Sequence, residues 1–116
     1  MESDLVAVLQ TVCARVHPDL APLATTVRPF ITWQLVGGRA LRHIDNSASA
    51  QRMSVVMVKV WSLTRAESLT LARAAEEALC AATQFNARPD AELVTEVDED
   101  LALYGTMQDF TILADR

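Results

Sequence analysis

One eleven-residue stretch, residues 52–62 (RMSVVMVKVWS), constrains the fold more than any other part of the chain. Its recurring valines and closing tryptophan predict a β-strand. Alternate side chains of a strand point to opposite faces of the sheet. The first face is formed by Ser54, Val56, Val58, Val60 and Ser62, and the second by Met53, Val55, Met57, Lys59 and Trp61. Both faces are largely apolar, although a small one-layer sheet needs only one buried face, so the second face requires a cover of its own.

Lys59 indicates which of the two faces is buried in the core, because an unpaired lysine is rarely fully buried. We therefore expect the face with three valines to pack under the helices and form the core. The opposite face carries two adaptable methionines and a Trp, a composition typical of protein interfaces. We predict that it contacts a neighbouring subunit, through Met53, Val55, Met57 and Trp61. Trp61 has an equally good alternative role, as ordinary core that closes one end of the sheet.

The rest of the chain predicts two helices and three further strands. An apolar stripe with helical spacing predicts a helix over residues 3–16, ended by Pro18. A second helix is expected over residues 64–83. It should begin with a capping box, in which the side chains of Thr64 and Glu67 each accept a hydrogen bond from the backbone amide of the other residue. Strands are expected at residues 30–37, 91–97 and 107–115.

The order of these elements, α-β-β-α-β-β, predicts an α+β fold in one domain spanning residues 1–116. We expect a four-stranded, mainly antiparallel sheet with both helices on one face. Gly37 and Gly38 should end the first strand, and the polar residues 37–51 should form a long arm before the next one. This arm is interpreted either as a solvated loop or as a docking arm, whose charged members are Arg39, Arg42, His43, Asp45 and Arg52.

Composition and charge restrict the class of function. Of 116 residues, 51% are hydrophobic and 22% charged, which is typical of a globular chain. The net charge of −5 provides no basic footprint for reading a nucleic-acid groove. No apolar run reaches the roughly 18 residues of a membrane span, and the acidic start is unlike a signal peptide. These features predict synthesis in the cytosol and no contact with a membrane.

The residues that could carry chemistry do not form a recognisable set. Cys13 and Cys80 lie in apolar, helix-like surroundings, so both are expected to be buried, reduced thiols. His17, His43 and Asp45 lack the further ligands that a metal site needs. We therefore predict no catalytic residue, no metal and no cofactor.

Two further motifs also fall short of a ligand site. The acidic run at residues 96–100 lacks the order of acidic residues and glycine found in a calcium-binding loop, so it predicts a charged turn. Gly37 and Gly38 follow a strand but lack the Lys-Ser/Thr or the third glycine of a phosphate-binding loop.

Three stretches together resemble a known family. They are residues 29–33 (PFITW), residues 58–67 (VKVWSLTRAE) and residues 96–112 (EVDEDLALYGTMQDFTI). In this order and spacing they are similar to the tail-completion proteins of long-tailed phages and prophages, the tail terminator or tail-to-head joining family. The resemblance covers about residues 3–114, nearly the whole chain.

This resemblance implies a non-enzymatic assembly protein. Members of the family form a ring, commonly of six subunits, that caps the tail-tube protein and docks to the head connector. Genome DNA passes through the lumen without specific binding, and a net negative charge would repel its phosphates. The implied location is the host cytoplasm during assembly and then the virion tail. The alternative is a small cytosolic, dimeric α+β module that binds a ligand or a partner and is unrelated to phage.

Overall fold

Two helices and six strands make up the fold in the computed structural model, which describes residues 2–19, 27–39 and 51–115. In chain order they are α1 (Glu2–Gln10), β1 (Val16–Pro18), β2 (Phe30–Arg39), β3 (Gln51–Ser62), α2 (Arg65–Ala81), β4 (Asn86–Pro89), β5 (Val94–Asp98) and β6 (Leu103–Asp115). The predicted α+β class is therefore correct.

The strands form one mixed sheet in the order β1-β2-β3-β6-β4, and β5 pairs with β6 beside β4. β1 runs parallel to β2, whereas the other pairs are antiparallel. The predicted sheet of four mainly antiparallel strands lacked two of these six strands. The missing strands, β1 and β4, are edge strands of only three and four residues, too short to show a periodic pattern. β4 ends in Pro89, a residue suited to a sheet edge because it donates no backbone hydrogen bond.

The predicted strand at residues 52–62 is the centre of the sheet. All twelve residues of β3 pair with β6, and β2 pairs along its other side. Val56, Val58 and Val60 are buried as predicted. They share the main core with apolar side chains from both helices: Leu5, Val8, Leu9, Ala72, Ala75 and Leu79. Both helices therefore cover this one face of the sheet.

The first helix is shorter than predicted. It ends at Gln10 rather than near Pro18, and the Thr11 hydroxyl donates to the Val8 carbonyl at 2.6 Å. The chain then enters the sheet as β1, where the Ile31 amide donates to the Arg15 carbonyl at 2.9 Å. The helical spacing of the apolar residues therefore does not continue the helix to residue 16, because the end of this segment forms hydrogen bonds with β2 instead.

The second helix begins as predicted, but its capping box is different. The Thr64 hydroxyl accepts the Glu67 amide at 3.2 Å. The Glu67 carboxylate does not return to the Thr64 amide; it accepts the buried Ser62 hydroxyl at 2.5 Å. Ser62 Oγ lies 3.3 Å from the Thr64 amide and accepts its hydrogen bond instead. The last residue of β3 thus completes the cap of α2.

The two glycines do not end β2, contrary to prediction. β2 continues to Arg39, with a bulge between Leu35 and Gly37 that leaves Val36 outside the register with β3. Gly38 is required there, because a Cβ atom would lie 2.4 Å from the Met53 carbonyl oxygen. Most of the predicted arm, including Arg42, His43 and Asp45, lies outside the described residues. Of its other members, Arg39 ends β2, and Arg52 is an exposed residue at the start of β3.

Candidate interaction surface

The side of the sheet opposite the two helices is the candidate surface, and we call it the outer face. Its central row is the second face of β3, and the registers place side chains of β2 and β6 beside it. Met53 lies opposite Leu113, Met57 lies opposite Asp109, and Lys59 lies opposite Met107. Met53, Val55, Met57, Met107 and Leu113 are all partly exposed. The outer face therefore presents methionine and aliphatic side chains that neither helix covers.

One end of the outer face is closed by a second, smaller core. Trp61 is only 8% exposed and clusters with Phe30 and Leu103, which are fully buried. Its indole lies across Gly105, its register partner on β6, where an added Cβ would be 2.7 Å from Trp61 Cε3. Of the two roles that the sequence allowed for Trp61, a subunit contact or core at one end of the sheet, the structure shows the second. It offers little surface to a partner, unlike Met53, Val55 and Met57.

Lys59 separates this closed end from the open part of the outer face. Its ammonium forms an ion pair with Glu96 on β5 at 3.6 Å, and both side chains are about one-third exposed (33% and 31%). An ion pair of this exposure contributes little to stability. It does bear out the reasoning from sequence that Lys59 lies away from the main core.

A carboxylate lies in the middle of the apolar row. Asp109 is partly buried beside Met57, and its Oδ1 atom is buried without a hydrogen-bond partner. The neighbouring Asp90 and Thr111 do pair, with the Thr111 hydroxyl donating to Asp90 Oδ1 at 2.6 Å. Asp109 makes position 57 sensitive to the sign of any charge placed there.

The two cysteines occupy different environments. Cys13 is buried, as predicted, and its thiol donates to the Pro29 carbonyl at 3.4 Å. Cys80 is exposed, contrary to prediction, because its position falls on the solvent side of α2. Partial burial, with further contributions from the Glu76 and Glu77 carboxylates, raises the pKa of the Cys80 thiol. A raised pKa lowers the thiolate fraction, so Cys80 is a poor candidate nucleophile.

Neither a metal cluster nor a membrane span is found in the part of the chain that the structure describes. Within residues 2–19, 27–39 and 51–115, no group of three or more His, Cys, Asp or Glu side chains is arranged to hold a metal ion. No helix among these residues is long and apolar enough to cross a membrane.

Sequence reasoning found the central row of the outer face but missed its neighbours. Asp109 and Gly105 lie beside this row only because of the β3–β6 register, and Leu103 joins the smaller core with Trp61. The alternation of polar and apolar residues in a single strand does not specify which strand lies beside it. A Gly opposite a Trp is the one signal that could have suggested this pairing.

A scan against protein-family models gave no match for this chain, and a search of curated proteins gave no significant match. The functional proposal therefore depends on the fold, the outer face and the order of the three sequence stretches.

Proposed function

We propose that this protein is a non-enzymatic virion assembly protein, a tail terminator or tail-to-head joining subunit of a long-tailed phage or prophage. In this role it forms a ring, in the hexameric form common to the family it resembles. The ring caps the tail tube and docks to the head connector, and the genome passes through its lumen.

The outer face is the observation that carries this proposal. Among the described residues, both helices cover the same side of the sheet, so the outer face is a surface that a second subunit can bury. Met53, Val55 and Met57 form an adaptable apolar row there, and the polar Lys59 and Asp109 can fix the orientation of a partner. Such a surface suits repeated contact between copies of one subunit better than binding of a small molecule, which favours a concave pocket.

The distribution of acidic residues is consistent with a conduit for DNA. Residues 90–100 contain six of the fifteen acidic residues of the chain and no basic residue: Asp90, Glu92, Glu96, Asp98, Glu99 and Asp100. A negative potential would keep the genome moving through the ring, because it repels phosphate groups.

The proposal is tested with tail tubes assembled from the tail-tube protein of the phage or prophage that encodes this chain. The purified protein is added to these tubes, and cosedimentation and negative-stain microscopy record whether a ring occupies one tube end. We expect binding at tube ends and a gene position between the connector and tail-tube genes. A protein that is strictly dimeric at high concentration and has no affinity for tubes or connectors would instead identify the small dimeric module.

A further inference from the structure

Two open edge segments of the sheet differ in charge. Residues 34–39 of β2 extend beyond β1, which pairs only with Ile31, Thr32 and Trp33. At the opposite side of the sheet, β5 pairs with β6 alone. Among the described residues, no strand occupies the free side of either segment. The backbone groups on such a free side are a ready template for a further strand.

The exposed apolar side chains are concentrated on these same two segments. Seven large hydrophobic residues are exposed within the described part of the chain, and four of them lie here. Leu35 and Val36 are 45% and 43% exposed on β2, and Val94 and Val97 are 54% and 58% exposed on β5. An edge strand of a monomer is usually protected by polar side chains, so this distribution points to edges that are covered in an assembly.

The two edges differ in charge. β5 lies within the acidic stretch at residues 90–100, whereas residues 34–38 on the free part of β2 carry no charged side chain. Two β5 edges brought together would place like charges opposite each other, which is destabilising. A β5 edge that meets a β2 edge avoids this repulsion, because residues 34–38 of β2 are uncharged.

We infer that the β5 edge of one copy pairs with the β2 edge of the next copy, so that the sheet continues from subunit to subunit. The partner of each edge is thus a second copy of this chain. Because the two surfaces differ, the contact is head-to-tail and can be repeated around a closed ring. This inference rests on the proposed function for its ring and adds which surfaces join the subunits. Neighbouring copies in the same ring also bury the outer face, beside each edge contact.

Thiol crosslinking between two proteins that each carry one exposed cysteine tests the inference. In a Cys80→Ser background, one protein carries Val36→Cys and the other Val97→Cys; both positions are exposed, so neither change disturbs the core. The proteins are mixed at high concentration with a short bis-maleimide reagent, which tolerates small differences in register. The buried Cys13 serves as an internal measure of folding, because it reacts only in unfolded protein. A third protein with Ala74→Cys, on the exposed side of α2, is the matched control.

Head-to-tail pairing predicts covalent dimers in the Val36→Cys and Val97→Cys mixture, at least tenfold more abundant than in either protein alone or in mixtures with the control. Dimers formed by Val97→Cys alone at the same level would show two β5 edges together and overturn the inference. Dimers in none of the mixtures would also overturn it. If microscopy still shows rings at tube ends in that case, the proposed function stands and only the edge contact is wrong.

Discussion

At the scale of single residues, Gly105 and Trp61 decide how one end of the outer face is closed. The indole lies where a side chain at position 105 would be, so the close packing of Phe30, Trp61 and Leu103 depends on glycine there. The backbone at Gly105 is ordinary extended strand, and the requirement is therefore one of space rather than of conformation.

Gly105→Ala should destabilise the protein by about 1–3 kcal/mol, the usual cost of overpacking a well-filled core. The free energy of unfolding is measured by urea denaturation. In a Trp61→Leu background the same change should cost little, because the ring atoms that it meets are gone. An equal loss in both backgrounds would show that Trp61 does not lie across Gly105.

Cys80 provides a prediction for pH dependence. Burial, together with the Glu76 and Glu77 carboxylates, disfavours the thiolate, so its alkylation should reach half-maximal rate above the pH of an unperturbed cysteine. Glu77→Gln removes one negative charge, which should lower the thiol pKa and move the midpoint downward. Glu92→Gln, outside α2, is the control. Alkylation is followed for the Cys80 peptide by mass spectrometry, and an unchanged midpoint in Glu77→Gln would contradict the assignment.

At the scale of elements, side-chain hydrogen bonds join the end of β3 to the start of α2. Ser62 is fully buried and holds both the Glu67 carboxylate and the Thr64 amide, while Thr64 caps the helix. The centre of the sheet and the start of its covering helix are therefore fixed relative to each other by side chains within six residues.

Thr64→Ala should destabilise the protein by about 1 kcal/mol, the typical cost of losing an N-cap hydroxyl. Thr70→Ala, on the exposed side of α2, is the matched control and should change stability by less than about 0.5 kcal/mol. Thermal or urea unfolding of both variants provides the comparison. A loss in Thr64→Ala no greater than that in Thr70→Ala would mean that the cap does not stabilise the helix.

The elements also show where prediction from sequence succeeded and where it failed. β3, its buried face and α2 have strong periodic patterns, and these were identified correctly. β1 and β4 have only three and four residues, too few for a period, and are strands because their neighbours supply hydrogen bonds. The composition of the outer face could be predicted from β3 alone. Its arrangement depends on the β3–β6 register, which no local pattern specifies.

At the scale of the whole molecule, the two helices within residues 2–19, 27–39 and 51–115 cover one face of the sheet and leave the outer face uncovered. The main core contains side chains from α1, α2 and four of the strands, so folding does not require the outer face to be covered. The central claim is that the outer face is buried by assembly with other copies. A substitution there should affect assembly and leave folding intact.

The register identifies the most informative substitution. Met57→Asp would place a second carboxylate opposite Asp109, whose Oδ1 is buried without a partner, and would thereby destabilise the monomer as well. Met57→Lys instead places an ammonium opposite Asp109, while it still charges the centre of the apolar row. It is therefore expected to preserve or raise the stability of the monomer.

The most direct test is the size of the assembly formed by Met57→Lys, measured by light scattering and negative-stain microscopy at high concentration and on tail tubes. Thr70→Lys, with the same added charge on the exposed side of α2, is the control. We predict rings for the unmodified protein and for Thr70→Lys, and a folded monomer with an unchanged or higher urea midpoint for Met57→Lys. Rings of normal size and abundance in Met57→Lys would contradict the claim that the outer face is buried in the assembly.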